Sequence, residues 1–219
     1  MRVPHDERGP VEEVDAAAYP RVSRYLASLP DGIRSYPTCE SKASMYREAL
    51  QKAPKQLDPK GLPLLLQDYV RDPVPMTTWV PEVITACIYM AIADQIFKQD
   101  EAFLEWVTKV SEATFASPTY RILMTVASPE KLAGGAERRW RNFHQGSSYD
   151  IEIRENGTLT RITAPPYLFD KLYMRANARA VQAAYRASGA RNAVVEIIDW
   201  SPTETRMRAE WYPERAPTQ

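Results

Sequence analysis

The chain has 219 residues, 44% of them apolar, and Lys plus Arg balance Asp plus Glu at 28 each. That is enough apolar content for one sizeable core, with no net charge to draw the protein onto nucleic acid or an anionic membrane. Its two cysteines, Cys39 and Cys87, lack paired metal-ligand spacing, there is no phosphate-cradling glycine loop and no Gly-x-Ser-x-Gly, and eight glycines leave little room for a nucleotide-binding loop.

Residues 1–18 are polar and then alanine-rich, without periodicity, and are expected to form a flexible arm ahead of one α/β domain over residues 19–213. Acidic residues and two prolines stand in residues 1–13 where a signal peptide needs an apolar stretch, and no segment reaches membrane-spanning length. A cytoplasmic protein with no membrane partner is the expectation. Pro20, Val22, Tyr25, Leu26 and Leu29 predict a short helix stopped at Pro30-Asp31-Gly32, and residues 44–52 predict a second. Six prolines between Pro54 and Pro81 confine the apolar run 62–66 to a short helix or turn-bounded segment.

From Trp79 the period is helical: Val80, Val83, Ile84, Cys87, Ile88, Ala91 and Ile92 make a wide stripe, which predicts a central, largely buried helix. Asp100-Glu101 start the next helix, where acids complement the N-terminal dipole. Ser117-Pro118 and Ser128-Pro129 each place a capping hydroxyl before a proline, and the helix after the second carries Leu132, Ala136, Trp140 and Phe143 on one side.

After Gly146 the period becomes two. Tyr149, Ile151 and Ile153 alternate with Asp150, Glu152 and Arg154, and Asn156-Gly157 predict a tight hairpin with two positive-φ positions. Leu159 and Ile162 are out of phase in the return strand, which predicts a bulge, an edge position or a two-sided environment. Pro165-Pro166 are read as opening a helix with an i,i+4 ladder of Leu168, Leu172, Ala176, Ala180, Ala184 and Ala187, closed by Gly189. Its alanines let it approach a sheet closely. Residues 194–198 and Met207, Ala209 and Trp211 supply two more strands. The fold class is therefore α/β (α+β): a helical part, residues 19–146, packed on a four-stranded, mostly antiparallel sheet with ββαββ order over residues 147–213.

No catalytic constellation stands out. His5 lies in the arm beside Asp6 and Glu7 and is assigned no role; His144 ends a predicted helix, where a histidine commonly serves a terminal carbonyl. Cys87 sits on an apolar helical face, where a thiolate is disfavoured. Arg175, Arg179 and Arg186 on the long helix read as a solvated face rather than an anion clamp. The aromatics Tyr120, Trp140, Phe143, Tyr149, Tyr167, Phe169 and Tyr173 gather in sequence around the helix-to-sheet junction, as the lining of an apolar pocket would, and as core packing also does.

Several segments carry a resemblance: Trp79-Val-Pro-Glu82, Ser117-Pro-x-Tyr120-Arg121, Met124, Ser128-Pro129, Trp140-x-x-Phe143-His144-x-Gly146 and Trp211. Over about Leu29 to Trp211 they look like an uncharacterised myxobacterial protein family, itself similar to the haem-nitric-oxide-binding and vinyl-reductase-like small-molecule-binding domains. The resemblance implies a bacterial ligand-sensing or protein-interaction module rather than an enzyme. Haem-binding relatives hold iron with a helical His and grip the propionates with Tyr-x-Ser-x-Arg; here Tyr120-Arg121 are adjacent and His144 ends its helix, so no haem and no other cofactor or metal is expected. The expected function is non-enzymatic sensing of a small, largely apolar molecule at the helix-to-sheet cleft, through Tyr120, Arg121, Trp140, Phe143, His144, Tyr149 and Tyr173. The alternative is a ligand-free adaptor or homodimer whose aromatic surface is an interface.

Overall fold

In the computed structural model of the chain, residues 13–117 and 128–211 are described. Among them, α1 (Pro20–Ser28), α2 (Ala43–Lys52), α3 (Leu64–Arg71), α4 (Glu82–Ile92), α5 (Asp100–Ala116), α6 (Pro129–Gly134) and α7 (Ala136–Phe143) come first, and α8 (Lys171–Ala187) lies between two hairpins. Short strands β1 (Glu40–Lys42), β2 (Trp79–Pro81) and β3 (His144–Gln145) form a small sheet in the order β2-β1-β3. The last third builds β4 (Ser148–Arg154), β5 (Gly157–Thr163), β6 (Val194–Trp200) and β7 (Glu204–Glu210) into a four-stranded sheet in the order β4-β5-β7-β6. All its pairings are antiparallel. The fold is α+β, with helices first and a ββαββ unit last, as the element order predicts. Residues 1–12 of the expected arm and the helix expected at Pro118 lie outside the described residues; Asp15 donates its N–H to Gly61 O at 2.8 Å.

α4 is the centre. Every residue of it except Tyr89 is buried, and α1, α2, α3 and α8 pack around it. Its C-terminal end passes into a π-helical turn (Ala93–Phe97) that places Asp94 under the start of α1. There the Asp94 carboxylate accepts from the backbone N–H groups of Arg21 (2.9 Å) and Val22 (3.2 Å) and pairs with the Arg21 guanidinium at 2.8 Å. A distant acid thus serves the orphan donors of α1 that its own N-cap, Tyr19, leaves unsatisfied. Arg21 also reaches Asp100, tying α1 to the first turn of α5.

α5 and α8 run side by side in the same direction, since Arg175 meets Glu101 and Arg186 meets Glu112 eleven residues further along both helices. The reading of Arg175 and Arg186 as a solvated face is thus corrected to helix–helix pairing, worth little per pair at such exposed positions. α8 also packs on β6, where Gln182 Oε1 accepts from Val195 N–H at 3.0 Å. With two neighbours it buries two faces, so the predicted alanine ladder is only partly right: Leu172 and Ala176 are buried, while Ala187 is exposed.

Four local expectations are corrected. α8 starts at Lys171 because Asp170 caps it, accepting from Leu172 N–H at 2.7 Å; Pro165-Pro166 belong to the loop before it. The helix predicted after Ser128-Pro129 is two, broken at Gly134-Gly135. Neither Asn156 nor Gly157 has positive φ: Glu155-Asn156 form the turn and Gly157 opens β5, where a Cβ would stand 2.2 Å from Ala209 O. Glycine is needed there for close strand approach, not for turn conformation. β5 pairs on both sides in unbroken register, and the bulge sits in β6, between Ile197 and Asp199. The apolar residues of β5 fall out of phase because threonines take the inner face, with Thr158 and Thr160 buried below the hydroxyls of Tyr185 and Tyr149.

Candidate functional site at the helix-to-sheet junction

The small sheet, though only two or three residues per strand, places the junction. β1 pairs Ser41 with Val80 on one side and with His144 on the other, so the residue after β2 and the first residue of β3 are held close together. The residue after β2 is Glu82, first in α4 and 1% exposed. The turn out of β3 needs Gly146, whose φ is +75° and whose absent Cβ leaves room for Cys39, 2.6 Å from the position that atom would take.

Around Glu82 three elements converge. Its carboxylate accepts from the His144 imidazole Nδ1 at 2.8 Å and from the Tyr173 hydroxyl at 2.9 Å. All three side chains are buried. Burial, and then the neighbouring Glu82 carboxylate, hold the Tyr173 phenol well above the usual tyrosine range, so it remains a donor. An aromatic seam covers this network. Trp140 stacks on His144 with centroids 3.8 Å apart, meets Tyr149 at 5.2 Å and Phe169 at 5.9 Å, and the chain of contacts continues through Phe169 to Tyr173 and on to Tyr89. The Trp140 indole N–H donates to Ser147 Oγ at 3.0 Å.

Of the residues singled out from sequence, Trp140, His144, Tyr149 and Tyr173 meet in this seam. Phe143 does not; one residue before His144, it points outward and is 41% exposed. Tyr120 and Arg121 lie outside the described residues. The reading of His144 as a helix-end residue serving a terminal carbonyl is corrected, because its partner is Glu82. Glu82 itself enters the sequence reading only as part of a motif. Its signal is nonetheless there: a carboxylate opening a mostly apolar, largely buried helix needs donors, and there are few to choose from.

A cleft opens elsewhere. About 550 Å³ in volume, it lies at the end of the four-stranded sheet between Gly146, Ser147, Ser148, Arg161, Thr163, Pro165, Thr203 and Glu204. Its lining is mixed polar and apolar, shares none of the predicted residues, and touches the seam through Ser147. Its Arg161 is already paired with Glu204 at 2.6 Å. Among the described residues, no helix is long and apolar enough to cross a membrane, and no group of three or more His, Cys, Asp or Glu could hold a metal ion.

Burial pushes Tyr149 up to about 12, the Thr160 hydroxyl opposing in part. For an acid whose folded pKa is raised, the unfolded state loses its proton first. Stability is therefore intact below the ordinary tyrosine value near 10 and falls as pH rises toward about 12. Denaturant midpoints measured across that window should fall in the wild type and fall less in Tyr149→Phe. An equal fall in both would show that Tyr149 contributes nothing to the alkaline limb.

No family model matches the chain, and no curated protein matches it. Solved structures do resemble it, H-NOX proteins among them. The Fe(II) unliganded H-NOX protein from K. algicida gives a TM-score of 0.47 at 10% identity, covering 81% of this chain and 100% of that one. A mutant H-NOX from T. tengcongensis gives 0.46 at 7% identity, covering 90% and 98%. A structure described as probing heme distortion in the H-NOX family gives 0.44 at 8%, covering 81% and 89%. These are likenesses of element order and assign no role to any residue of this chain. They do overturn the expectation of no cofactor, since the structures of similar order are H-NOX domains and one is described by its heme. Of the described residues, His144 is the one imidazole, and its Nδ1 is held by Glu82.

Proposed function

We propose that residues 19–213 act as one cytoplasmic, non-enzymatic sensory or regulatory domain that binds a small, largely apolar molecule at the helix-to-sheet junction and passes the event to a partner protein. The observation that carries this reading is the Glu82–His144–Tyr173 network inside the aromatic seam. A buried carboxylate and imidazole cost more in desolvation than an apolar packing of the same volume, so such a network is weakly explained by stability alone. It is well explained as an element with two discrete arrangements. It links α4, β3 and α8, so a molecule lodged against Trp140, Tyr149 or Tyr173 would shift all three elements together, which is what transmission between sites requires. Aromatic walls with a few fixed polar groups are also the usual composition of small-molecule sites.

Native mass spectrometry of the purified protein, with an absorbance scan of the same sample, tests this reading. The expected result is a bound small molecule, and a Soret band in the scan would identify it as haem. A clean apo mass at twice the chain weight would overturn the sensor reading in favour of the adaptor.

A further inference from the structure

Tyr173 points its hydroxyl at an unusual partner. Among the described residues it is the one tyrosine that donates to a carboxylate, Glu82 Oε1 at 2.9 Å. Tyr25, Tyr36 and Tyr89 donate to the backbone carbonyls of Leu168, Pro166 and Met45, and Tyr149 and Tyr185 face threonine hydroxyls. A carboxylate is a base that can keep a proton; a peptide carbonyl or an alcohol is not.

The same ring is one link in an unbroken run of aromatics from the core to the surface. Tyr173 meets Tyr89 of α4 at 5.4 Å between centroids, Tyr89 meets Phe103 of α5 at 6.4 Å, and Phe103 meets Trp106 at 5.7 Å. Tyr173 is buried, whereas Trp106 is only half-buried and its N–H donates to Lys52 O at 3.1 Å. Rings in contact pass an electron by short tunnelling steps. Of these four, the indole and the two phenols are readily oxidised, with Phe103 as the contact between them. Core packing accounts for the contacts; the base beside one phenol gives the run a direction.

We propose that Tyr173 is a redox-active tyrosine, oxidised by one electron through Tyr89, Phe103 and Trp106 as its proton moves to Glu82. The oxidant is a one-electron acceptor in solution, such as an oxygen-centred radical, that meets Trp106. The electron passes outward from Tyr173 and reduces the oxidant by one electron. The phenolic O–H bond breaks, an O–H bond forms on Glu82 Oε1, and a neutral phenoxyl radical then faces a neutral carboxylic acid. Without that proton transfer a positively charged ring would stand in a dry interior, at high cost. Trp106 and Tyr89 donate only to carbonyls, so the oxidised state does not settle on them. The protein thereby registers one-electron oxidants in the network that joins α4, β3 and α8. Small-molecule binding at the junction is not needed for this step, and either can fail without the other.

Ruthenium(III) tris-bipyridine, generated by a laser flash with a sacrificial electron acceptor and too bulky to enter the core, supplies the oxidant for the test. Wild-type protein should give a tyrosyl radical, followed by absorbance and EPR, that forms more slowly in deuterium oxide. Fluorotyrosine at position 173 keeps the ring in place and should add fluorine splitting to the EPR signal, which assigns the radical without removing the side chain. Glu82→Gln, whose amide cannot keep the proton, should lose that radical, and Trp106→Leu should slow its formation without changing its spectrum. No radical, a radical without fluorine splitting from position 173, or an undiminished one in Glu82→Gln would overturn the proposal. Formation at the wild-type rate in Trp106→Leu would overturn the route.

Discussion

Glu82→Ala is expected to destabilise the protein by roughly 3–5 kcal/mol, the range for removing one partner of a buried charged network. The reason is what it leaves behind. The His144 N–H and the Tyr173 O–H both donate to this one carboxylate, and both are buried. Neither can turn to water. By contrast, Arg208–Glu196 on the outer face of the sheet is half exposed, and replacing Glu196 should cost less than about 1 kcal/mol. Glu82→Gln keeps the volume and one acceptor oxygen, so it should fall between these values. Chemical denaturation of the variants gives the comparison. Similar small losses for Glu82→Ala and Glu196→Ala would show that the junction is wetter than the geometry implies.

Trp140→Ala has the other large expected effect, roughly 3–5 kcal/mol from lost burial and the cavity left behind. The indole contacts three separate parts of the fold: His144 in β3, Tyr149 in β4 and Phe169 in the loop before α8. Removing it also frees Ser147 Oγ from its indole donor. A drop of this size in denaturant stability confirms the ring as core. Melting close to wild type together with loss of the bound small molecule in native mass spectrometry would instead make it a residue of the site that the core tolerates losing.

The legible parts of the fold are those with a period. Alternation in residues 149–154, the apolar stripe of α4 and the strand pattern of β7 are each set by several side chains at once, so the surroundings cannot easily reverse them. What periodicity misses is set by single groups or by distant ones. Asp170 outcompetes Pro165-Pro166 as the start of α8 through one hydrogen bond. Thr158 and Thr160 take inner positions that the pattern assigns to apolar residues, because Tyr185 and Tyr149 satisfy their hydroxyls. The β1–β2–β3 sheet has strands too short to alternate, and it joins segments far apart in sequence.

The candidate site divides the same way. Its aromatic members are readable because Trp140, Tyr149 and Tyr173 cluster in sequence. Glu82 is not, because an acid at the first turn of a helix ordinarily complements the dipole at the surface, and only the small sheet carries it inside against His144.

Glu82, His144 and Tyr173 form one dry network under Trp140, and long-range proton–nitrogen NMR on the His144 ring tests that most directly. The predicted wild-type spectrum has an Nδ1-bound proton that exchanges slowly with solvent. In Trp140→Ala that proton should move downfield, because the stacked indole no longer shields it, and in Glu82→Ala it should disappear. A His144 ring proton that exchanges as freely as in an unfolded peptide, and is indifferent to both substitutions, would contradict a dry network at the junction.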